Sequence, residues 1–210
     1  MRLAAGQVIT RASDLPHLMP AAAHTEVQGL SLRPAVAEDA LCLSVLAMQV
    51  FLDTYATQGI RPSIAREVLS GYSEQVFAHA IASAKDRLVV AESAGHLVGF
   101  AHVVIEAQHE LAPRGTQSEL LRLYVQEPFT GRQVGSRLLA HAEHLAAHSG
   151  ATVLWLTPWI HNHRALRFYA RRGYADHGRT HFDLEGESHE NRLLAKAIVA
   201  AARATWPTQA

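Results

Sequence analysis

Between Leu120 and Ser149 the chain reads as a strand, a glycine-bearing turn and a helix in immediate succession, and that order restricts what can fold around it. The strand, Leu120-Leu121-Arg122-Leu123-Tyr124-Val125, is rich in apolar side chains. The turn from Gln126 to Ser136 is polar and carries Gly131 and Gly135. Leu138, Leu139, Ala142, Leu145 and Ala146 then recur at three- and four-residue spacing, the pattern of a helix with one buried face. Backbone N–H groups at such a helix start lack intrahelical acceptors and lie at the positive end of its dipole, so an anionic pyrophosphate fits there. Glycines let the turn take positive φ or let a ligand approach the backbone closely. The N–H groups of Arg132, Gln133, Val134, Gly135 and Ser136 are the expected anion contacts, with Arg132 and Arg137 as auxiliary charges.

The chain has 210 residues, 49% of them hydrophobic, which suits one domain with a sizeable core and short extensions. Its formal charge is zero, so a general attraction to nucleic acid or to an anionic membrane is not expected. Fourteen histidines are scattered, and the His161-x-His163 pair has no Cys or carboxylate at zinc-ligand spacing beside it, so no metal is expected. A single Cys42 excludes an internal disulfide and fits a reducing compartment. The first 30 residues show no secretory pattern and no run approaches membrane-spanning length, so a cytoplasmic location is expected.

Residues 1–28 mix Ala, Pro, Ser and His without a period and read as a partly irregular extension, residues 29–200 as the domain, and residues 201–210 as a tail. Leu30 to Pro34 alternates like a strand and stops at proline. Glu38-Asp39 opens a helix whose buried face is Ala40, Leu43, Leu46, Ala47, Val50 and Phe51. Pro62-Ser63 starts a second helix, divided at Gly71 and Ser73 and ending near Ala84. Residues 88–92 and 96–104 form a hairpin about Ser93-Ala94-Gly95, and residues 107–117 a loop. Thr152 to Leu156 is a strand buried on both faces, Asn162 an N-cap for the helix Arg164 to Arg171, and Gly173 its stop. Ala175 to Asp183 and Asn191 to Ile198 make a closing pair joined by Glu185-Gly186-Glu187.

Two motifs at this separation resemble those of the GCN5-related N-acetyltransferases. Thr130 to Gly135 occupies the Gln/Arg-x-x-Gly-x-Gly/Ala pattern, with Thr130 and Gln133 departing from it. The segment Asn162-x-x-Ala165-x-x-Phe168-Tyr169-x-x-x-Gly173-Tyr174 follows the second pattern closely. The resemblance covers about Leu30 to Ile198. It implies an α/β fold with a mixed, mostly antiparallel twisted sheet of six to seven strands and helices on both faces. It also implies acetyl-CoA as cosubstrate and direct transfer of its acetyl group to a primary amine in a ternary complex.

By the same resemblance, main-chain groups along Leu123, Tyr124 and Val125 beside a strand bulge pair with the pantetheine arm, and Gly131 to Ser136 holds the pyrophosphate. Asn162 hydrogen-bonds the pantetheine or simply caps its helix. Tyr169 protonates the departing thiolate, while Phe168 faces the core. Glu119 is the base that frees the amine, ahead of His102, Glu92 and His181. Phe51, Tyr55 and Tyr72, on helices that roof the acceptor site in the family, are the substrate candidates. Phe51-x-x-Thr54-Tyr55, Trp159 to Asn162 and Phe182-x-Leu184-x-Gly186-Glu187 with Leu194-x-Lys196 point toward small-amine enzymes of the polyamine type. A protein N-terminal or lysine acetyltransferase and a non-catalytic acyl-CoA-binding regulatory module stay open. The exposed edges of an open sheet also allow a homodimer.

Overall fold

The computed structural model describes residues 26–184 and 186–199. The expected C-terminal tail and residues 1–25 of the expected extension lie outside the described residues. Val27, placed in that extension by sequence, is buried in the core, and the Gln28 carbonyl accepts from Ser93 Oγ at 3.1 Å.

Seven strands, β1 (Ser31–Pro34), β2 (Asp86–Ser93), β3 (His96–Ile105), β4 (Gln117–Val125), β5 (Val153–Leu156), β6 (Ala175–Leu184) and β7 (Glu187–Ala197), form one sheet. Their order is β1-β2-β3-β4-β5-β7-β6, and only the β4–β5 pairing is parallel. This is the mixed, mostly antiparallel sheet expected. The closing hairpin is tighter than the sequence suggests. Register continues to Leu184 opposite Glu187, so β7 starts four residues before Asn191. The reason is Gly186, whose φ of +83° allows a two-residue loop and whose N–H donates to Asp183 Oδ1 at 2.9 Å.

Helices α1 (Ala40–Tyr55), α2 (Pro62–Gly71) and α3 (Glu74–Ala82) cover one face, where Leu43, Phe51, Phe77 and Phe100 form the core. Helices α4 (Val134–His148) and α5 (His163–Ala170) cover the other, around Leu138, Leu139, Leu154 and Tyr169. Truncating a fully buried Leu138 or Leu154 to Ala would cost about 2–5 kcal/mol. The start of α1 is fixed by charge: Asp39 accepts from Val36 N and from both terminal nitrogens of Arg33. That guanidinium holds the Asp39 carboxyl below its usual range.

The sheet is split where the site lies. β4 pairs with β5 only from Gln117 to Glu119, so residues 120–125 have no strand neighbour on that side. On its other side β4 shifts register against β3 between Leu120 and Arg122, leaving Leu121 as the extra, exposed residue of a bulge. The bulge and the parting of the strands are what the resemblance implied for this strand.

Candidate active site

Beside the unpaired half of β4 is a cavity of about 550 Å³. Leu123, Tyr124 and Val125 form its floor, the turn from Thr130 and the start of α4 one end, and Val50, Thr54 and Tyr55 of α1 the other. Asn162, Ala165, Phe168 and Tyr169 form the wall from α5.

The anion end is built from backbone. Gly131 has φ +70° and Gln133, the residue before α4, has φ +67°, a left-handed conformation that side chains rarely adopt. Gln133 thus keeps the shape that a glycine would take at the same motif position. No side chain caps the helix, and the first bond of α4 runs from Arg137 N to the Gln133 carbonyl at 3.0 Å. The N–H groups of Val134, Gly135 and Ser136 precede that bond and lack intrahelical acceptors. Gly135 also keeps the space open: a Cβ there would stand 3.7 Å from Val125 Cγ2 and 3.9 Å from the Phe168 ring. Gly131, Gln133, Gly135 and Ser136 line the cavity. Arg132 and Arg137 do not; Arg132 lies over the Phe129 ring, and Arg137 is exposed.

Tyr169 is where the second motif places it, with its side chain buried and at the cavity wall. Its hydroxyl makes no hydrogen bond to a described residue, and burial pushes its pKa well above the usual value. It is therefore a neutral phenol with a proton to give. Asn162 caps α5, its Oδ1 accepting from Ala165 N at 3.0 Å, and also borders the cavity. Phe168 packs in part against the core, as expected, and also lines the cavity, with the Arg172 guanidinium over its ring at 4.5 Å from the ring centre.

Of the three aromatics expected at the acceptor site, Tyr55 reaches the cavity. Phe51 and Tyr72 are buried behind it, 4.6 Å from Tyr55 and 5.0 Å from Phe51 between ring centres respectively. They support the wall. Tyr72 and Tyr124 share a hydroxyl–hydroxyl hydrogen bond of 3.1 Å, and burial raises both pKa values. A second trench of about 310 Å³ continues from Val50, Thr54 and Asn162 to Asp53, Trp159 and His161. The Trp159 ring lies 5.4 Å from Tyr55 and 4.9 Å from His161, so aromatic faces run from the cavity to the rim. Thr54, Asp53, Trp159 and Arg172 reach the site through packing between elements distant in sequence. Trp159 and Thr54 had a sequence signal; Asp53 and Arg172 had none.

Glu119 is not on the cavity wall. It stands at the last paired position before β4 and β5 part, half-buried, and burial raises its carboxyl to about 7 against an opposing pull from Arg122. Arg122 is itself fixed by neutral groups, donating to His102 Nδ1 at 3.1 Å and lying 5.2 Å from the Tyr72 ring centre. Because arginine only donates, His102 Nδ1 accepts, and its Nε2–H donates to Asp86 at 2.5 Å. Burial lowers the His102 pKa, so this histidine is a neutral linker. Glu92 is bound to Arg33, and His181 lies on β6 opposite Glu190. Among the described residues, no group of three or more His, Cys, Asp and Glu could hold a metal ion, and no helix is long and apolar enough to cross a membrane.

Residues 55–174 match the Acetyltransferase (GNAT) family. The chain is 28% identical over 156 residues to the uncharacterized N-acetyltransferase in the pepI 3′ region of Lactobacillus delbrueckii subsp. lactis, covering 73% of this chain and 89% of that one. It is 36% identical over 80 residues to the aminoalkylphosphonate N-acetyltransferase of Salmonella typhimurium, 38% of this chain and 51% of that one. Among solved structures, PaiA N-acetyltransferase from Thermoplasma acidophilum in complex with coenzyme A is similar with a TM-score of 0.65 at 22% identity, covering 81% of this chain and 99% of that one. Fold, motifs and match agree: the chain belongs to the GNAT acetyltransferase family and is an acyltransferase.

Proposed function

We propose that the protein transfers the acetyl group of acetyl-CoA directly to a primary amine of a small cationic molecule, with a polyamine as the first acceptor to test. The observation that carries this reading is one cavity joining a helix start open to phosphate, an unpaired Tyr169 hydroxyl and an aromatic trench. The N–H groups of Val134, Gly135 and Ser136 would hold the pyrophosphate. The unpaired side of Leu123 to Val125 would hold the pantetheine arm, with Asn162 across from it. Those contacts place the thioester beside the amine and make the reaction effectively unimolecular.

Glu119 would take the ammonium proton through water, since it stands off the cavity wall. The neutral amine then attacks the thioester carbonyl carbon, a C–N bond forms, the C–S bond breaks as Tyr169 protonates the departing sulfur, and the second proton lost from the nitrogen returns through water to the Tyr169 oxygen. Asp53 at the trench rim, and the faces of Trp159 and Tyr55, suit a second cationic group of the acceptor. Arg164, the cation in the trench, is neutralised by Glu127 at 2.8 Å. Two copies pairing along the ten-residue edge strand β6 would make the homodimer.

The test is a panel of amines with release of the CoA thiol as readout. Turnover is expected with diamines and polyamines. Turnover confined to peptide N-termini or lysine peptides would overturn the acceptor class, and acetyl-CoA binding without turnover on any amine would overturn the enzyme reading.

A further inference from the structure

Every cavity-lining residue from the turn and the start of α4, namely Thr130, Gly131, Gln133, Gly135 and Ser136, is uncharged. Thr130 offers nothing further, because its hydroxyl donates back to the Glu127 carbonyl at 2.9 Å. A pyrophosphate carries two negative charges, and backbone N–H groups alone satisfy its oxygens without neutralising it. Positive charge stands across the cavity, on Arg164, which is paired with Glu127, on the exposed Arg171, and on Arg172 in the turn after α5, which is bonded to the start of α4.

Arg172 is half-buried and lines the cavity with Ser136. Its guanidinium donates to Ser136 Oγ and stacks over Phe168 at 4.5 Å. It makes no ion pair with a described carboxylate. Three features hold it there: the stacked ring, the Arg172 N–H bond to the Tyr169 carbonyl at 2.9 Å, and Gly173, whose φ of +84° turns the chain away from the helix. A guanidinium removed in part from water without a carboxylate partner has given up solvation that an anionic ligand would restore. Its planar fork matches a phosphate in two hydrogen bonds.

We infer that Arg172, reaching from the turn after α5 to the start of α4, is a ligand of the donor's pyrophosphate and supplies the positive charge that the cavity-lining residues of the glycine turn lack. This rests on the acetyl-CoA reading and extends it to a residue outside the turn. One consequence is that the thiolate acid, Tyr169, near the end of α5, and the phosphate cation, Arg172, in the turn that follows it, lie three residues apart in the chain. Docking of the carrier thereby fixes the helix that carries the proton donor.

Calorimetric titration of the full chain with CoA and with 3′-dephospho-CoA separates the outcomes. Arg172→Met keeps an unbranched stem over Phe168 and loses the charge. It is expected to raise Kd for both ligands by the same factor, about 10-fold or more, with the melting temperature of the ligand-free protein unchanged. Arg172→Lys, which keeps the charge without the fork, should lie between. Equal affinity in wild type and Arg172→Met would overturn the inference. So would a loss for CoA alone, which would assign Arg172 to the 3′-phosphate, or a loss matched by a lower ligand-free melting temperature in both variants, which would assign it to packing. Failure of the unaltered protein to bind either ligand would instead sink the acetyl-CoA reading itself.

Discussion

Glu119 sits opposite Trp155 at the last register position that β4 and β5 share. Up to that pair the two strands are continuous sheet; past it they part and the cavity begins. The carboxyl thus stands where the strands part, buried enough for its pKa to climb to about 7, and it is the base proposed to act through water.

That position gives a pH signature. As a base Glu119 must be ionised, so kcat/KM should rise to a plateau above pH of about 7, well below the pKa of a free amine. Glu119→Gln is expected to lower kcat about 100-fold and to move the rise toward the amine's own pKa. Stability should change in the opposite sense. The folded pKa lies above the unfolded one, so the native state holds its proton more tightly and is progressively destabilised as pH rises through 7. The variant stays neutral and should gain about 1–3 kcal/mol on wild type at pH 8 and nothing at pH 4. A pH–rate profile and two urea melts decide both points, and identical profiles would remove Glu119 from the mechanism.

Tyr169 makes the second prediction. Burial holds its phenol protonated across the neutral range, so it adds no falling limb to the rate profile between pH 6 and 9. Tyr169→Phe keeps the ring in its edge-to-face contacts with Phe168 and Tyr174. Turnover should fall about 100-fold while acetyl-CoA affinity stays within about twofold, as measured by thiol release and calorimetry on the same preparation. Equal losses in both would mean the hydroxyl serves binding or packing.

What the sequence disclosed was chiefly local. The strand, turn and α4 were legible because glycines, apolar spacing and strand composition all act within a few residues, and Asn162 was readable as a cap for the same reason. Tyr55 and Trp159 meet only because the end of α1 comes to the segment between β5 and α5, and Arg172 meets Ser136 across 36 residues. No periodicity encodes such meetings. Phe51 and Tyr72 were chosen for residue type on the right helices, but type does not say which ring faces the cavity and which stands behind it. The bulge at Leu121 left no composition mark either, and was expected from resemblance alone.

Gln133 carries a backbone conformation at φ +67° that an L side chain disfavours by about 1 kcal/mol. Gln133→Gly should relieve it, raising stability by roughly 0.5–1 kcal/mol without weakening CoA binding, because the N–H groups of residues 134–136 are unchanged. Gln133→Val, branched at Cβ, should do the reverse in both respects. Urea denaturation with calorimetry tests the pair. A stable Gln133→Val that binds CoA normally would show that the turn does not need the left-handed residue.

The narrowest point beneath the cavity floor is Gly99 on β3, opposite Val125. A Cβ added there would stand 2.7 Å from the Tyr124 carbonyl oxygen and 3.3 Å from both Val125 Cα and Leu138 Cδ1. The first neighbour is backbone and cannot rotate away, so β4 itself would have to move. Gly99→Ala is therefore expected to cost about 1–3 kcal/mol. Because Tyr124 and Val125 form the cavity floor, the displacement should also weaken CoA binding, although no atom of Gly99 lines the cavity. The coupled loss distinguishes this site from a core position such as Leu154, where Leu154→Ala should lower stability as much or more with less effect on affinity in the folded fraction. Melting and titration of the two variants side by side test it, and a Gly99→Ala protein with wild-type stability would mean that the sheet yields at this point.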